Sequence, residues 1–192
     1  MKKQCLFLGY KKNKTTLITF IKKKGFNVKN YQKLPSLKEF EKSHLIVSFG
    51  YRKIIGNNIL SKLKKPIFNL HLSYLPFNRG AHPNFWSFIE DTPSGVSIHE
   101  IDKGIDSGSI IFRKKIHFNI KLNKFLTFKK TYKHLFLEAE KLFKKNFNKI
   151  CNKTYNYIPN KISGTFHNKS DLPTWMKNWN MNIVVAKNIF NS

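Results

Sequence analysis

Asn69, His71 and Asp106 are an amide, an imidazole and a carboxylate, the side-chain types that acyl-group chemistry uses. A carbonyl carbon attacked by an amine passes through a tetrahedral species whose oxygen is negative. A hydrogen-bond donor already in place stabilises it, and an Asn amide or an imidazolium supplies one. The amine must also lose a proton, which a carboxylate, or a His oriented by one, accepts. The carboxylate's charge in turn favours the imidazolium form of its neighbour.

Spacing says how these groups would meet. KKPIF is a short apolar run of the kind that forms a buried strand, and Asn69 and His71 follow it two residues apart, so both side chains project from one face of the strand's end. Asp106 lies later, in the turn GIDSG, and must return to that strand end. Asn-x-His alone is weak, because a His at a strand end is commonly structural.

A longer ordered pattern surrounds these residues. Asn69, His71, Ser73, Leu75, Pro76, Arg79 and Gly80 are followed by Gly95, Val96, Ile98 and His99, then by Ile101, Asp102, Gly104, Asp106 and Gly108. This pattern resembles the folate-dependent formyltransferase family, which includes methionyl-tRNA, glycinamide ribonucleotide and nucleotide-sugar N-formyltransferases. Ser107 departs slightly from the Thr usual in the family's Asp-Thr-Gly turn but keeps the hydroxyl.

The resemblance implies an α/β, Rossmann-like formyltransferase fold. It also implies N10-formyltetrahydrofolate as formyl donor, with Asn69, His71 and Asp106 as the catalytic residues. By position the loop with Gly50, Tyr51, Lys53 and Ile54 would hold the pterin, with Ile101, Asp102 and Gly104 opposite; without the downstream motif that loop would read as an ordinary connection. No metal is implied. Homodimerisation is implied too, although no self-complementary surface is legible in one chain.

The identity of the acceptor amine divides the family. Methionyl-tRNA enzymes carry a further C-terminal β-barrel, for which the segment after Cys151 is too short. Glycinamide ribonucleotide enzymes typically continue the Asn-x-His motif with Pro-Ser-Leu-Leu-Pro, where this chain has Leu-Ser-Tyr-Leu-Pro. SYLPFNRGAHPNFWSFIEDTP looks most like the short enzymes that act on sugar amines in surface polysaccharide (lipopolysaccharide) pathways. A nucleotide-linked amino sugar is therefore the expected acceptor. Ser73, Tyr74, Arg79, Asn84, Phe85 and Trp86 are the candidate acceptor residues, Arg79 through a bidentate guanidinium contact. Phe85 and Trp86 equally suit packing at the start of a helix, and His82 suits a solvated loop. Gly164, Phe166, His167 and Asp171, in a tail resembling that of the same short enzymes, are expected near the acceptor side.

The remaining elements suit such a site. QCLFLG, FNVKN and HLIVSFG read as strands, with TTLITFIKKKG and SLKEFEKS as intervening helices. Gly25 caps the first helix and Ser36 starts the second. Alternation of strand and helix predicts a mostly parallel sheet, whose ligands bind beyond the carboxyl ends of its strands. GVSIHEI and SGSIIFRKKIHF predict two more strands joined through the Asp106 turn. Residues 123 to 151 predict one long amphipathic helix starting near Asn123 or Thr127, with a Phe and Leu stripe toward the core and Lys toward solvent. Residues 1 to 151 are the expected catalytic domain, and 152 to 192 an extension packed on it.

Composition bounds the other possibilities. A chain of 192 residues that is 41% hydrophobic suits one domain with a sizeable core. It has no apolar run of about eighteen residues and no secretory signal, so a cytoplasmic location is expected. Cys5 and Cys151 have no metal-ligand spacing, and KKNKTT after the first strand lacks the glycines of a phosphate loop. A net charge of +26 would ordinarily suggest nucleic acid, and a basic RNA-binding module without activity is the alternative of another class. Yet of the 36 basic residues only Arg52, Arg79 and Arg113 are Arg. The Lys are spread along a chain also rich in Asn, Ile and Phe, as AT-rich codons produce. The charge reads as surface drift that also attracts anionic substrates, without a nucleic-acid or membrane partner.

Overall fold

The computed structural model describes residues 2–119, 126–160 and 163–192. Its elements in chain order are β1 (Gln4–Gly9), α1 (Leu17–Lys23), β2 (Asn27–Tyr31), α2 (Leu37–Lys42), β3 (Leu45–Phe49), α3 (Asn57–Leu60) and β4 (Phe68–His71). There follow β5 (Arg79–Gly80), α4 (Pro83–Ile89), β6 (Gly95–Glu100), β7 (Ile110–Lys115) and α5 (Phe128–Asn152). The tail holds β8 (Phe166–His167), a short 3-10 turn (Lys169–Asp171) and α6 (Ile183–Asn191).

Six strands form one sheet in the order β2-β1-β3-β4-β6-β7. The first four run parallel, and β6 is antiparallel to both β4 and β7. The continuous apolar runs of β1 and β3 are buried on both faces, as a doubly covered parallel sheet requires. On one face Phe68, Leu70, Val96 and Ile98 pack with Leu17, Ile21, Leu135, Phe143 and Phe147 from α1 and α5. On the other, Leu6, Leu8 and Ile46 pack with Phe40 of α2 and Ile59 of α3. A third cluster joins α4 to the start of α5 and to α6 through Phe85, Phe88, Phe128 and Ile183.

Local signals act where they were expected. Gly25 follows α1 with φ +90°, a conformation costly for a side chain bearing Cβ. Ser36 starts α2 in extended conformation, although its hydroxyl makes no capping bond. Thr127 caps α5 by accepting from the Lys130 amide; Asn123, the other candidate start, lies outside the described residues. Gly80 of β5 pairs with His167 of β8, and α6 buries Ile183 and Ala186, so the tail lies against the elements around the proposed site.

Candidate active site

Strand pairing assembles the site. Phe68 and Leu70 face the α5 core, so Asn69 and His71 face the other side of β4. In the antiparallel pair, Asn69 is opposite His99, and directly opposite residues share a face. The turn after β6 then brings Asp106 over these three side chains. The turn is tight: Asp106 has φ 50°, and a Cβ on Gly108 would lie 2.0 Å from the Glu100 carbonyl oxygen. Asp102 braces it by accepting from the Gly104 amide at 3.1 Å and from the Ser107 hydroxyl at 2.7 Å, so Ser supplies what the turn asks of position 107. From the tail, Asn160 Nδ2 donates to the Asp106 and Gly108 carbonyls at 2.8 and 3.0 Å.

Four groups surround the Asp106 carboxylate. Asn69 Nδ2 donates to Oδ1 at 3.2 Å, and His99 Nε2 lies 3.2 Å from the same oxygen. The Gly80 amide donates to Oδ2 at 3.0 Å, with His71 Nδ1 at 3.5 Å. Burial alone would raise the Asp106 carboxyl. The charges of His71 and His99, the His99 hydrogen bond and the Gly80 amide outweigh it and hold the group well below the usual carboxylate range.

The histidines' outer nitrogens decide where protons sit. His71 Nε2 is 3.0 Å from the Asn78 carbonyl and His99 Nδ1 is 2.8 Å from the Glu100 carbonyl, and a carbonyl accepts only. Each ring's neutral-state proton is thus held away from Asp106. The nitrogen facing the carboxylate carries a proton only in the imidazolium form. The cluster is therefore built around a buried anion with two imidazoles and an amide against its oxygens. His99, part of the motif but without an assigned role, belongs to it through its register with Asn69. His99→Gln retains one donor toward Asp106 and removes the ring. Steady-state kinetics on this variant should show kcat lowered about tenfold with an unchanged KM for the formyl donor.

A family model for formyl transferase matches residues 1–133. The chain belongs to the formyl transferase family. It is 33% identical over 168 residues to the bifunctional polymyxin resistance protein ArnA of Wigglesworthia glossinidia brevipalpis, which covers 86% of this chain and 24% of that protein. The chain spans about a quarter of the length of the first curated relatives it matches. Among solved structures, the formyltransferase PseJ from Anoxybacillus kamchatkensis, in complex with UDP-4,6-dideoxy-4-formamido-L-AltNAc and tetrahydrofolate, is 33% identical with a TM-score of 0.84, covering 94% of this chain and 96% of that one. The Helicobacter canadensis N-formyltransferase, at 24% identity and a TM-score of 0.73, covers 90% of this chain and 73% of that one and shares the fold.

The structure divides the other candidate residues of this family member. Tyr51 and Ile101, from the two loops assigned to the donor, pack against the same core cluster. The Tyr51 hydroxyl is buried without a partner among the described residues. Gly50 has φ +67°, and a Cβ there would lie 2.2 Å from the Tyr10 ring. Ile54 is 83% exposed and Ile105 51%, apolar side chains in solvent on both loops.

Burial divides the acceptor candidates. Phe85 is fully buried and Trp86 nearly so, both inside the α4–α6 cluster, and buried Asn84 donates to the Phe128 carbonyl at 3.0 Å. These three pack into the core, with Asn84 Oδ1 and Trp86 Nε1 buried without a partner among the described residues. Ser73 is buried as well, its carbonyl accepting from Ser97 Oγ at 2.8 Å. Tyr74 carries the Arg113 guanidinium over its ring at 4.5 Å. Arg79 remains a candidate: its Nε is buried without a partner among the described residues, one residue before the Gly80 amide that bonds Asp106. Of the tail residues, Gly164 packs on Pro76, where a Cβ would overlap the backbone. Phe166 and His167 flank Arg79 and Gly80 through the β5–β8 pairing, and Asp171 caps its own turn.

Proposed function

We propose that this protein transfers a formyl group from N10-formyltetrahydrofolate to the amine of a nucleotide-linked amino sugar. Likeness to PseJ points to a UDP-linked 4-amino sugar. The observation that carries the reading is the buried Asp106 carboxylate with Asn69, His71 and His99 around it, in a chain of this family. The donor loops fit a flat, partly apolar ligand, because exposed Ile54 and Ile105 would be covered and the Tyr51 hydroxyl would gain a partner. Gly50, Tyr51, Lys53 and Ile54 would line one side of the donor, and Ile101, Asp102 and Gly104 the other.

Bound N10-formyltetrahydrofolate supplies an acyl group on nitrogen that an amine can displace. Asn69, through the Nδ2 hydrogen that Asp106 does not take, would donate to the oxygen that becomes negative as the sugar amine bonds to the formyl carbon, and imidazolium His71 would place its positive charge beside it. Asp106 holds His71 through Nδ1 and directs the amine's proton toward N10 as the bond from carbon to N10 breaks. His99 and the Gly80 amide keep the carboxylate ionised and aimed. Arg79, with its buried Nε, would orient the acceptor. Residues 1 to 151 would carry the reaction, with 152 to 192 as an extension closing the acceptor side. A homodimer in the cytoplasm remains part of this reading; no described helix is long and apolar enough to cross a membrane.

The test follows tetrahydrofolate release from N10-formyltetrahydrofolate with dTDP-, GDP- and UDP-linked 4-amino sugars. Release with a UDP-linked sugar is the expected result. Donor binding without release for any sugar would move the acceptor to a ribonucleotide or tRNA amine, and salt-sensitive RNA binding without donor affinity would end the enzymatic reading.

A further inference from the structure

Two residues past the amide that bonds Asp106, the chain enters α4 through His82 in left-handed conformation, φ 53°. Such a backbone at a residue with Cβ is uncommon and reflects surroundings that hold it. The partner is Trp179, whose ring stacks on the His82 imidazole with centroids 5.4 Å apart and planes at 25°. Trp179 is itself anchored, its carbonyl accepting from the Lys129 amide at 2.8 Å and its ring edge set against Phe128. It is nevertheless 39% exposed. A similar pair, Trp86 on His167 at 4.0 Å and 8°, is packing, because that indole is only 5% exposed. The His82–Trp179 stack instead turns a supported aromatic surface to solvent.

Its location and charge say what that surface suits. A residue spans at most about 3.6 Å, so His82 lies within about 7 Å of Gly80 and hence beside the mouth of the site. The Ala81 amide donates to the His167 carbonyl at 2.8 Å, which places exposed Lys169, two residues on, at the same edge. Burial lowers the His82 imidazole, and the positive charges of Lys169 and Arg52 lower it further. Of the neighbouring acids, Asp171 is engaged by the Asn168 amide at 2.7 Å and the Ser170 hydroxyl at 3.3 Å, and Glu90 by His167 Nε2 at 3.1 Å.

We propose that Trp179, supported by His82 and flanked by Lys169, binds the nucleoside diphosphate end of the acceptor, the base on the indole and the diphosphate on the ammonium. Stacking on an aromatic ring tolerates any base, while an ammonium recognises phosphate oxygens. The assignment rests on the acceptor being nucleotide-linked, and it names the side chains that would make it so.

Calorimetric titration of the full chain with UDP and, separately, with inorganic pyrophosphate tests it. Trp179→Ala should weaken UDP at least tenfold and leave pyrophosphate within about twofold, whereas Lys169→Gln should weaken both. Trp179→Phe should keep most of the UDP affinity, and unchanged tetrahydrofolate binding would show that each variant is folded. Unaltered UDP affinity in folded Trp179→Ala overturns the site, as does failure of wild-type protein to bind UDP while it still formylates an amino sugar. UDP binding that needs Trp179 in a protein without formyl transfer would keep the site and remove the reading of the reaction.

Discussion

Asp106→Asn should lower kcat by roughly a hundredfold or more while the protein stays folded. Residue 106 sits at φ 50°, and Asn tolerates left-handed backbone about as well as Asp, so the turn should persist. The Gly80 amide can still donate to the carbonyl oxygen of the new amide. What is lost is the negative charge between His71 and His99 and with it the proton path to the leaving nitrogen. Tetrahydrofolate release reads the first part and thermal unfolding the second; full activity in a folded variant would remove Asp106 from the chemistry. The same residue carries a pH signature. Its folded-state carboxyl is held below the unfolded value, so its contribution to stability is present above the ordinary carboxylate range and is lost as pH falls below it. Wild-type protein should therefore lose stability more steeply in acid than Asp106→Asn.

Phe85→Ala separates the core reading from the pocket reading and should cost about 3–5 kcal/mol of stability. Phe85 is fully buried, with ring contacts to Trp86 at 5.0 Å, Phe128 at 5.3 Å and Trp175 at 6.1 Å. Truncation would open a cavity where α4, α5 and the tail meet. Denaturant unfolding should show a lower midpoint, with KM for the amino sugar little changed in the protein that remains folded. Unaltered stability with a raised KM would return Phe85 to the acceptor pocket.

The contrast between these residues shows how far the chain could be read directly. Asn69 and His71 are two apart on one strand, and period-2 alternation alone puts them on one face. The alternating elements, the Gly25 cap, the Thr127 start and the turn chemistry of GIDSG are likewise local, set by torsional preference and nearest neighbours in the chain. Phe85 and Trp86 are different: an aromatic pair opening a helix packs equally well into a core or a ligand. The choice depended on α6, a hundred residues downstream, arriving to cover them.

His99 makes the same point within the site. Its motif was legible, but its role follows from pairing opposite Asn69 in a sheet whose register no short segment encodes. Trp179 meets His82 because β8 pairs with β5 and the start of α5 anchors the tail. By itself the sequence determined the family, the strand-and-helix order and the Asn69, His71 and Asp106 set, because those depend on residue type and spacing. Tertiary structure decided which aromatics are core and which stay exposed, and which imidazoles share the Asp106 carboxylate, because burial and long-range register exist only once distant segments meet.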